Sequence, residues 1–317
     1  MRAVWLKEFG GPEVLVPGEA PDPVPGEGRA LIEVEFVNIT FVETQMRAGT
    51  GPAPVRLEPP VIPGNGVGGV VTAVGAGVDE ELVGRRVVSS TGGTGAYAEK
   101  VAVDAKGLFD VPDGLALDDA VALLADGRTA TMMLSAADPR PGERVLVEAA
   151  AGGVGTLLVQ LAKARGTTVV AAAGGAHKTE MPLRLGADEA VDYREPDWAG
   201  KAGRVDVVFD GVGGDVAREA FTLLRPNGRM VSFGLASGEW ASIPEEQAAE
   251  REVTLVRPTA TPEQLREFTI SALDEAAQGR LRPVIGQRFP LEGAADAHRA
   301  IESRSTVGKT LLEVRRA

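Results

Sequence analysis

Val145-Leu-Val-Glu-Ala149, then Ala150-Ala-Gly-Gly-Val-Gly155, then Thr156 to Ala164 is the stretch that decides the fold. The short apolar run reads as a buried strand, and the segment after the glycines reads as a helix. Read from Ala150, the turn between them matches the pattern G/A-x-G-x-x-G. Glycines in a strand-to-helix turn let the backbone approach a pyrophosphate closely. The helix N-terminus then offers free N–H groups and a partial positive charge. Gly152 and Gly155 fit the close-approach roles. Such a match alone is weak, because glycine-rich turns also serve only to turn a chain. Here a strand and a helix stand on the correct sides of it.

The same rhythm continues on both sides. Asp118 to Ala136 has few breakers and repeated Ala and Leu, which predicts a helix. After the glycine turn come a strand at Thr168–Ala173, a helix over Lys178–Leu185 and an extended Glu189–Tyr193. A strand follows at Val205–Asp210, then a helix over Val216–Leu224 and strands at Arg229–Phe233 and Glu252–Val256. Strands alternating with helices at this spacing imply βαβ units and a parallel sheet covered on both faces. Residues 1–115 have a different texture, with runs such as Ala30-Leu-Ile-Glu-Val-Glu-Phe-Val37 and Gly69-Val-Val-Thr-Ala-Val-Gly75 broken by Gly and Pro. This part reads as mostly β. The tail reads as a helix over Thr261–Gln278, a strand over Val284–Phe289, a helix over Ala294–Glu302 and a strand over Thr310–Val314, and it is expected to fold back onto the N-terminal part.

Composition narrows the function. A chain of 317 residues exceeds what one core usually serves, so two domains are expected. The net charge of −12 and the lack of a Lys/Arg run argue against a nucleic-acid partner. The chain has no Cys, which removes disulfides, thiolate zinc sites and cysteine nucleophiles together and fits a cytoplasmic location. The N-terminus carries charges where a signal peptide would have its apolar core, and the apolar stretch Val145–Ala162 is interrupted by Glu148, Gln160 and glycines. Neither a secretory leader nor a membrane span is expected.

The second strand selects the dinucleotide. An NAD site usually has an acidic residue at the end of that strand, about 20 residues after the glycines, to hold the ribose 2′-OH. Ala173-Gly174-Gly175 stands there instead, and no carboxylate is expected to repel a 2′-phosphate. Lys178 follows closely and could pair with one. NADPH is therefore the expected cofactor, the plainer reading of Lys178 being a solvated helix lysine.

Several further stretches are familiar together: Ala149–Gly155, Gln160-Leu-Ala-Lys163, Leu185-Gly-Ala-Asp-Glu-Ala-Val-Asp-Tyr193, Phe209-Asp-Gly-Val-Gly213, Gly228-Arg-Met-Val-Ser-Phe-Gly234 and Val307-Gly-Lys309. Over its whole length the chain resembles the medium-chain dehydrogenase/reductase superfamily, in the zinc-independent quinone-oxidoreductase branch. The resemblance implies an α/β Rossmann domain, a doubly wound parallel sheet, over 122–256. It also implies a discontinuous, mostly β, GroES-like catalytic domain over 1–121 and 257–317. Lys178 and Tyr193 resemble the pair that holds the 2′-phosphate, with Gly174 beside them. Gly153 and Val154 would lie along the pyrophosphate. Gly211 and Val212, with Phe233, Gly234 and Leu235, resemble the segments beside the nicotinamide. Asn38 and Thr129 match positions close to nicotinamide and substrate. The plainer readings are a half-buried strand tyrosine for Tyr193, core packing for Phe233, a backbone bridge for Asn38 and an ordinary helix residue for Thr129.

Zinc-dependent cousins carry G-H-E-x-x-G where this chain reads Gly64-Asn65-Gly66-Val67-Gly68-Gly69. Asn replaces the ligand His. The two histidines, His177 and His298, lie far apart on predicted polar helix surfaces, so no tetrahedral N/S site can be built from them. Without a Lewis acid, oxidation of a simple alcohol is hard. Hydride addition to a quinone or α,β-unsaturated carbonyl needs only positioning and hydrogen-bond donors, because charge spreads onto a conjugated oxygen. That is the expected reaction, with water or the Thr129 hydroxyl delivering the proton.

The segment Asn38–Arg47 is two residues longer than in many relatives, and Gly49-Thr-Gly-Pro-Ala53 lacks the tyrosine they place near the pocket. Phe41, Gln45 and Met46 are candidates for the pocket wall instead. Arg128 either attracts an acidic substrate or braces the domain junction. The alternatives are an enoyl-thioester reductase of the same fold, disfavoured weakly by the acidity, and a non-catalytic NADPH-binding sensor. A homodimer through the edge strand Glu252–Val256 is implied by the resemblance.

Overall fold

The β-branched runs of the N-terminal part form strands in the computed structural model, which describes residues 1–51 and 57–314. Pro52 and Ala53 of the Gly49–Ala53 stretch lie outside the described residues. In chain order the elements are β1 (Arg2–Leu6), β2 (Leu15–Glu19), β3 (Arg29–Ile39), α1 (Phe41–Ala48), β4 (Gly66–Val74), β5 (Arg86–Ser90), β6 (Lys100–Asp104), β7 (Leu108–Asp110) and α2 (Leu117–Ala137). There follow β8 (Arg144–Val147), α3 (Gly153–Ala164), β9 (Thr168–Ala173), α4 (Ala176–Arg184), β10 (Glu189–Asp192), α5 (Trp198–Ala202), β11 (Val205–Asp210) and α6 (Gly214–Leu223). Last come β12 (Leu224–Ser232), α7 (Glu245–Glu250), β13 (Thr254–Val256), α8 (Pro262–Ala277), β14 (Ile285–Pro290), α9 (Ala294–Glu302) and β15 (Lys309–Glu313). None of the described helices is long and apolar enough to cross a membrane.

The chain divides into two units. One holds Met1–Ala125, Leu273–Arg280 and the chain from Val284 on; the other holds Asp126–Ala272 and Leu281–Pro283. Residues 257–272, which the resemblance gives to the GroES-like catalytic domain, cluster with the second unit.

In the first unit a sheet runs in the order β14-β15-β3-β4-β5-β7, with β6 also on β3. The tail enters this sheet because β15 pairs antiparallel with β3, Leu311 opposite Asn38 and Leu312 opposite Val37. β3 organises the unit's core. Ala30, Ile32 and Val34 are fully buried, then the phase shifts and Val37 and Ile39 are buried instead. The register with β4 slips between Val34 and Phe36, and one extra residue in a strand turns every later side chain to the other face. Burial alternates before this bulge, and beyond it Val37, Asn38 and Ile39 are all buried, a change the sequence pattern does not reveal.

In the second unit every strand pair is parallel, in the order β10-β9-β8-β11-β12-β13. Val145–Val147, Val169–Ala172 and Val207–Phe209 are fully buried, as expected of strands covered on both faces. Strand order reverses between β8 and β11, so the connections leaving these strands diverge and open a crevice at their carboxyl ends. β13 is an edge strand, and Glu252, with φ of +55°, ends the turn that leads into it.

One expectation is corrected. His298 is not on a solvated surface; it is 1% exposed. Ala294, Ala297 and His298 form an i, i+3, i+4 stripe that turns the inner face of α9 into the core. The ring meets Tyr97 edge-on, and Tyr97 Oη lies 2.8 Å from Nε2. Burial, with Arg47 nearby, lowers the His298 pKa from 6.5 to about 3. His177 is exposed as expected.

The neutral His298 therefore contributes stability that is fully present above the unfolded pKa of 6.5 and is lost as the pH falls toward about 3. Denaturant unfolding at about pH 7 and about pH 5 should show the wild type losing more stability than His298→Phe. Equal losses in the two proteins would contradict this.

Candidate dinucleotide-binding site

The glycine turn is closed by backbone. Gly152 N–H donates to Ala149 O at 2.8 Å, and Ala150 N–H to Ala172 O on the neighbouring strand at 3.0 Å. Ala149 takes the left-handed φ of +48° that this tight reversal requires. Gly155 has no space for a side chain, because a Cβ would stand 2.2 Å from Ala149 O and 2.8 Å from Ala150 Cα. Gly152, the N-cap of α3, meets only Ala149 O at 3.2 Å and offers no side-chain cap. The N-cap residue thus gives no side-chain cap to the first N–H groups of α3 at Gly153 and Val154, and a helix N-terminus of this kind suits an anion. At Gly153 a Cβ would lie 1.9 Å from Asp126 Oδ2. This carboxyl, only 8% exposed, was missed in the sequence, where nothing marks it as a neighbour of the turn. Arg128 and Thr129 follow it on α2, both half-buried. Burial lowers the Arg128 pKa, and the Asp126 charge opposes that.

At the end of β9 the chain passes through Gly174 and Gly175. Gly175 has φ of +118°, a conformation reserved for glycine. Side chains from the end of β10 cover both residues. A Cβ on Gly174 would meet Tyr193 Oη at 2.6 Å, and one on Gly175 would meet Arg194 Nη2 at 2.0 Å and His177 Cε1 at 3.0 Å. Lys178, half-buried in α4, is tied to the same turn by its N–H donating to Gly175 O at 2.8 Å. Gly174, Lys178 and Tyr193 thus stand on one turn, and Arg194 joins them. Its signal was the cation directly after Tyr193. The expectation that no carboxylate stands here needs correction. Asp192 Oδ1 accepts from Gly175 N–H at 2.8 Å and Arg194 N–H at 3.0 Å. Partial burial pushes its pKa up, but those N–H groups and the Arg194 guanidinium outweigh this and hold it below the ordinary value. It arrives from the end of the neighbouring strand β10, which the local sequence of β9 does not report.

The ends of β11 and β12 form a third group. Phe233 and Gly234 N–H both donate to Asp210 O, at 2.9 and 3.3 Å. A Cβ on Gly234 would meet Gly211 O at 2.6 Å, and one on Gly211 would meet the Phe233 ring at 2.8 Å. Ser237 N–H donates to Val212 O at 2.8 Å. Phe233 and Leu235 are half-buried, so neither is plain core. Gly211, Val212, Phe233, Gly234 and Leu235 therefore form one layer at the carboxyl ends of the central strands.

In the first unit Asn38 is 2% exposed and donates through Nδ2 to Val121 O at 3.3 Å. A Cβ on Gly66 would strike this amide at 2.3 Å, a physical reason for glycine at that position. Asn65 is held on two sides: its N–H donates to Glu43 Oε1 at 3.1 Å, and its Oδ1 accepts from Ser90 Oγ at 2.7 Å. Glu43 also caps α1 by accepting from Thr40 N–H at 2.6 Å. Phe41 is half-buried under the Arg304 guanidinium, 4.4 Å from the ring centre. Met46 is 9% exposed and belongs to the hydrophobic core. Gln45 is half-buried, with Oε1 buried and receiving no hydrogen bond from the described residues.

Known proteins match the chain along its length. A family model described as an alcohol dehydrogenase GroES-like domain matches residues 26–113, and one described as a zinc-binding dehydrogenase matches residues 185–312. A Burkholderia 2-haloacrylate reductase is 32% identical over 98% of each chain. Escherichia coli quinone oxidoreductase 1 is 32% identical, also over 98% of each chain. The crystal structure of Escherichia coli quinone oxidoreductase complexed with NADPH superposes with a TM-score of 0.90, at 31% identity, covering 99% of this chain and all of the other.

The turn's two kinds of glycine should separate on substitution. Gly155→Ala forces backbone apart and is expected to cost about 1–3 kcal/mol of unfolding free energy with or without nucleotide. Gly152→Ala should unfold within about 1 kcal/mol of the wild type yet bind NADPH about tenfold more weakly. Denaturant melts and a fluorescence titration read both. Normal nucleotide affinity in Gly152→Ala would remove that residue from the site.

Proposed function

The chain belongs to the quinone-oxidoreductase branch of the medium-chain dehydrogenase/reductase superfamily, and on that premise we propose that it is an NADPH-dependent reductase of conjugated carbonyl compounds or quinones that works without zinc. The carrying observation is the turn at Gly174–Gly175, where the Tyr193 hydroxyl and the Arg194 guanidinium lie over glycine beside Lys178. A hydroxyl, a planar fork of donors and an ammonium group suit a 2′-phosphate; a ribose 2′-OH would call for an acceptor. Asp192 does not change this, because its Oδ1 is engaged by Gly175 and Arg194.

The remaining roles follow from placement. The α3 N-terminus, with Ala150, Gly152, Gly153, Val154 and Gly155, would hold the pyrophosphate. Gly211, Val212, Phe233, Gly234 and Leu235 would form the layer beside the nicotinamide and keep water from it. NADPH, when bound, supplies the hydride. The protein then needs to place an acceptor carbon and offer donors to the oxygen on which charge develops. In the second unit the half-buried Thr129 carries a hydroxyl able to give such a hydrogen bond or a proton. In the first unit Asn38 is committed to Val121 O, which suits it to bracing the end of β3. Phe41 and Gln45 remain candidates for contact with substrate, whereas the packing of Met46 in the core supports a structural role. Arg128, a partly buried cation beside Asp126, supports an acidic acceptor. The name of the 2-haloacrylate reductase points the same way, since a haloacrylate is an α,β-unsaturated acid.

The absence of zinc is supported by donor chemistry. The chain has no cysteine, Asn65 stands at the ligand position and is engaged by Ser90, and Gly66 leaves room for the Asn38 amide. The edge strand β13, with Leu255 37% exposed, supports pairing with a second copy, which the mass in solution would show. A cytoplasmic location is consistent with the lack of cysteine.

NADPH oxidation should be followed with 1,4-benzoquinone, 9,10-phenanthrenequinone, an alkyl enone, a 2-haloacrylate and crotonyl-coenzyme A, each with and without a chelator. Chelator-insensitive turnover of a quinone, enone or acrylate is expected. Preference for the thioester would favour the enoyl-thioester reductase, and nucleotide binding without any turnover would favour a sensor. Combining Lys178→Ala with Tyr193→Phe should shrink the NADPH-over-NADH preference in kcat/KM about tenfold to a hundredfold, because charge-assisted hydrogen bonds to the phosphate are lost. An unchanged ratio would move the 2′-phosphate elsewhere.

A further inference from the structure

We propose that Glu148 and Asp210 hold one proton between them and that this pair is a positioning device for the cofactor, because it fixes the Gly211–Gly214 turn. The inference rests on the reading of that turn as part of the NADPH site.

β8 and β11 are neighbouring parallel strands, with Val145 beside Val207, Leu146 beside Val208 and Val147 beside Phe209. One step further along each strand brings Glu148 beside Asp210, and neither residue is exposed at all. Each acid holds the turn that follows β11. Glu148 Oε2 accepts from Val212 N–H at 3.2 Å, and Asp210 Oδ1 from Gly213 N–H at 2.8 Å. Asp210 Oδ2 also accepts from Ser232 Oγ of β12 at 2.8 Å. The turn needs such anchoring. Gly213 and Gly214 have φ of +73° and +57°, and a Cβ on Gly213 would lie 2.0 Å from Glu239 O.

The protonation state follows from what surrounds the pair. Among the described residues the two acids accept hydrogen bonds from backbone N–H groups of the turn and the Ser232 hydroxyl, and no cation pairs with either. Two adjacent buried carboxylates without a cation cost more than protonating one of them. Glu148 Oε1 is buried and receives no hydrogen bond, as suits an oxygen in a carboxyl that itself has a proton to donate. Asp210, beside it on the neighbouring strand, is the acceptor that this proton implies. Burial, and after it the Asp210 charge, pushes the Glu148 pKa well above the ordinary carboxyl range, which assigns the proton to Glu148. Glu148 therefore holds the proton and offers it to Asp210 as a hydrogen bond. Neither side chain is placed to touch a substrate, and the role is to set the turn.

Two readouts test this. Infrared difference spectra between wild type and Glu148→Gln near neutral pH, without nucleotide, should show a protonated carboxyl stretch in the wild type that shifts in D2O. Direct NADPH titration should show Glu148→Ala binding about tenfold more weakly, the effect of leaving Asp210 without its buried donor. Glu148→Gln should recover most of that loss, because its amide N–H can replace the O–H. Absence of the carboxyl band, or wild-type NADPH affinity in folded Glu148→Ala, would overturn the proposal. A wild-type protein that fails to bind NADPH would instead sink the cofactor reading itself, and the infrared result would still decide whether the proton is there.

Discussion

The second unit depends on backbone meeting backbone at the carboxyl ends of parallel strands. At Gly155, Gly213 and Gly234 a single extra carbon would fall 2.0–2.6 Å from a carbonyl oxygen. These contacts are closer than any side chain permits, and they bring the starts of α3 and α6 and the end of β12 into one layer. Hydrophobic burial of the strands supplies the driving force, but it does not fix where those turns lie. Helix N-termini and a ring such as Phe233 become useful only once this close packing has placed them.

Electrostatics then divides that layer by sign. Around Gly174–Gly175 the side chains are cationic and hydroxylic, and the Asp192 carboxylate, held in its charged form, accepts from the Gly175 and Arg194 N–H groups. Around Gly211–Gly214 the acids are turned inward, away from water, where sharing a proton costs less than two charges. Asp126 is the exception: a carboxyl of α2 that lies against Gly153 at the start of α3, near the expected pyrophosphate, with Arg128 two residues along α2. A compensating cation close by is what such a site needs if it is to accept phosphate.

Much of this was legible in the sequence. The elements between Val145 and Asp210 stood out because long apolar runs, glycine turns and helix formers alternate without interruption. The glycine turn was legible because its function demands small residues at fixed steps. What escaped has a common cause. Arg194, Asp192 and Asp126 act on residues distant in sequence, through neighbouring strands or a preceding helix, and no local pattern reports that. The bulge in β3 hid because a slip in register against β4 leaves no mark in the local sequence. His298 was misread because its partners in the buried stripe, Ala294 and Ala297, are small enough to look like surface. Glu148 carried a signal that was noted only as an interruption of an apolar stretch: a charged residue where a fully buried strand ends.

Hydride delivery from NADPH to a conjugated acceptor with no metal is the reaction proposed for this architecture. The most direct measurement uses metal-stripped protein, NADPH deuterated at C4 of the nicotinamide and an enone. The predicted result is product labelled at the carbon β to the carbonyl, from one face of the nicotinamide only. Unlabelled product, or turnover that appears only when zinc is returned, would contradict it.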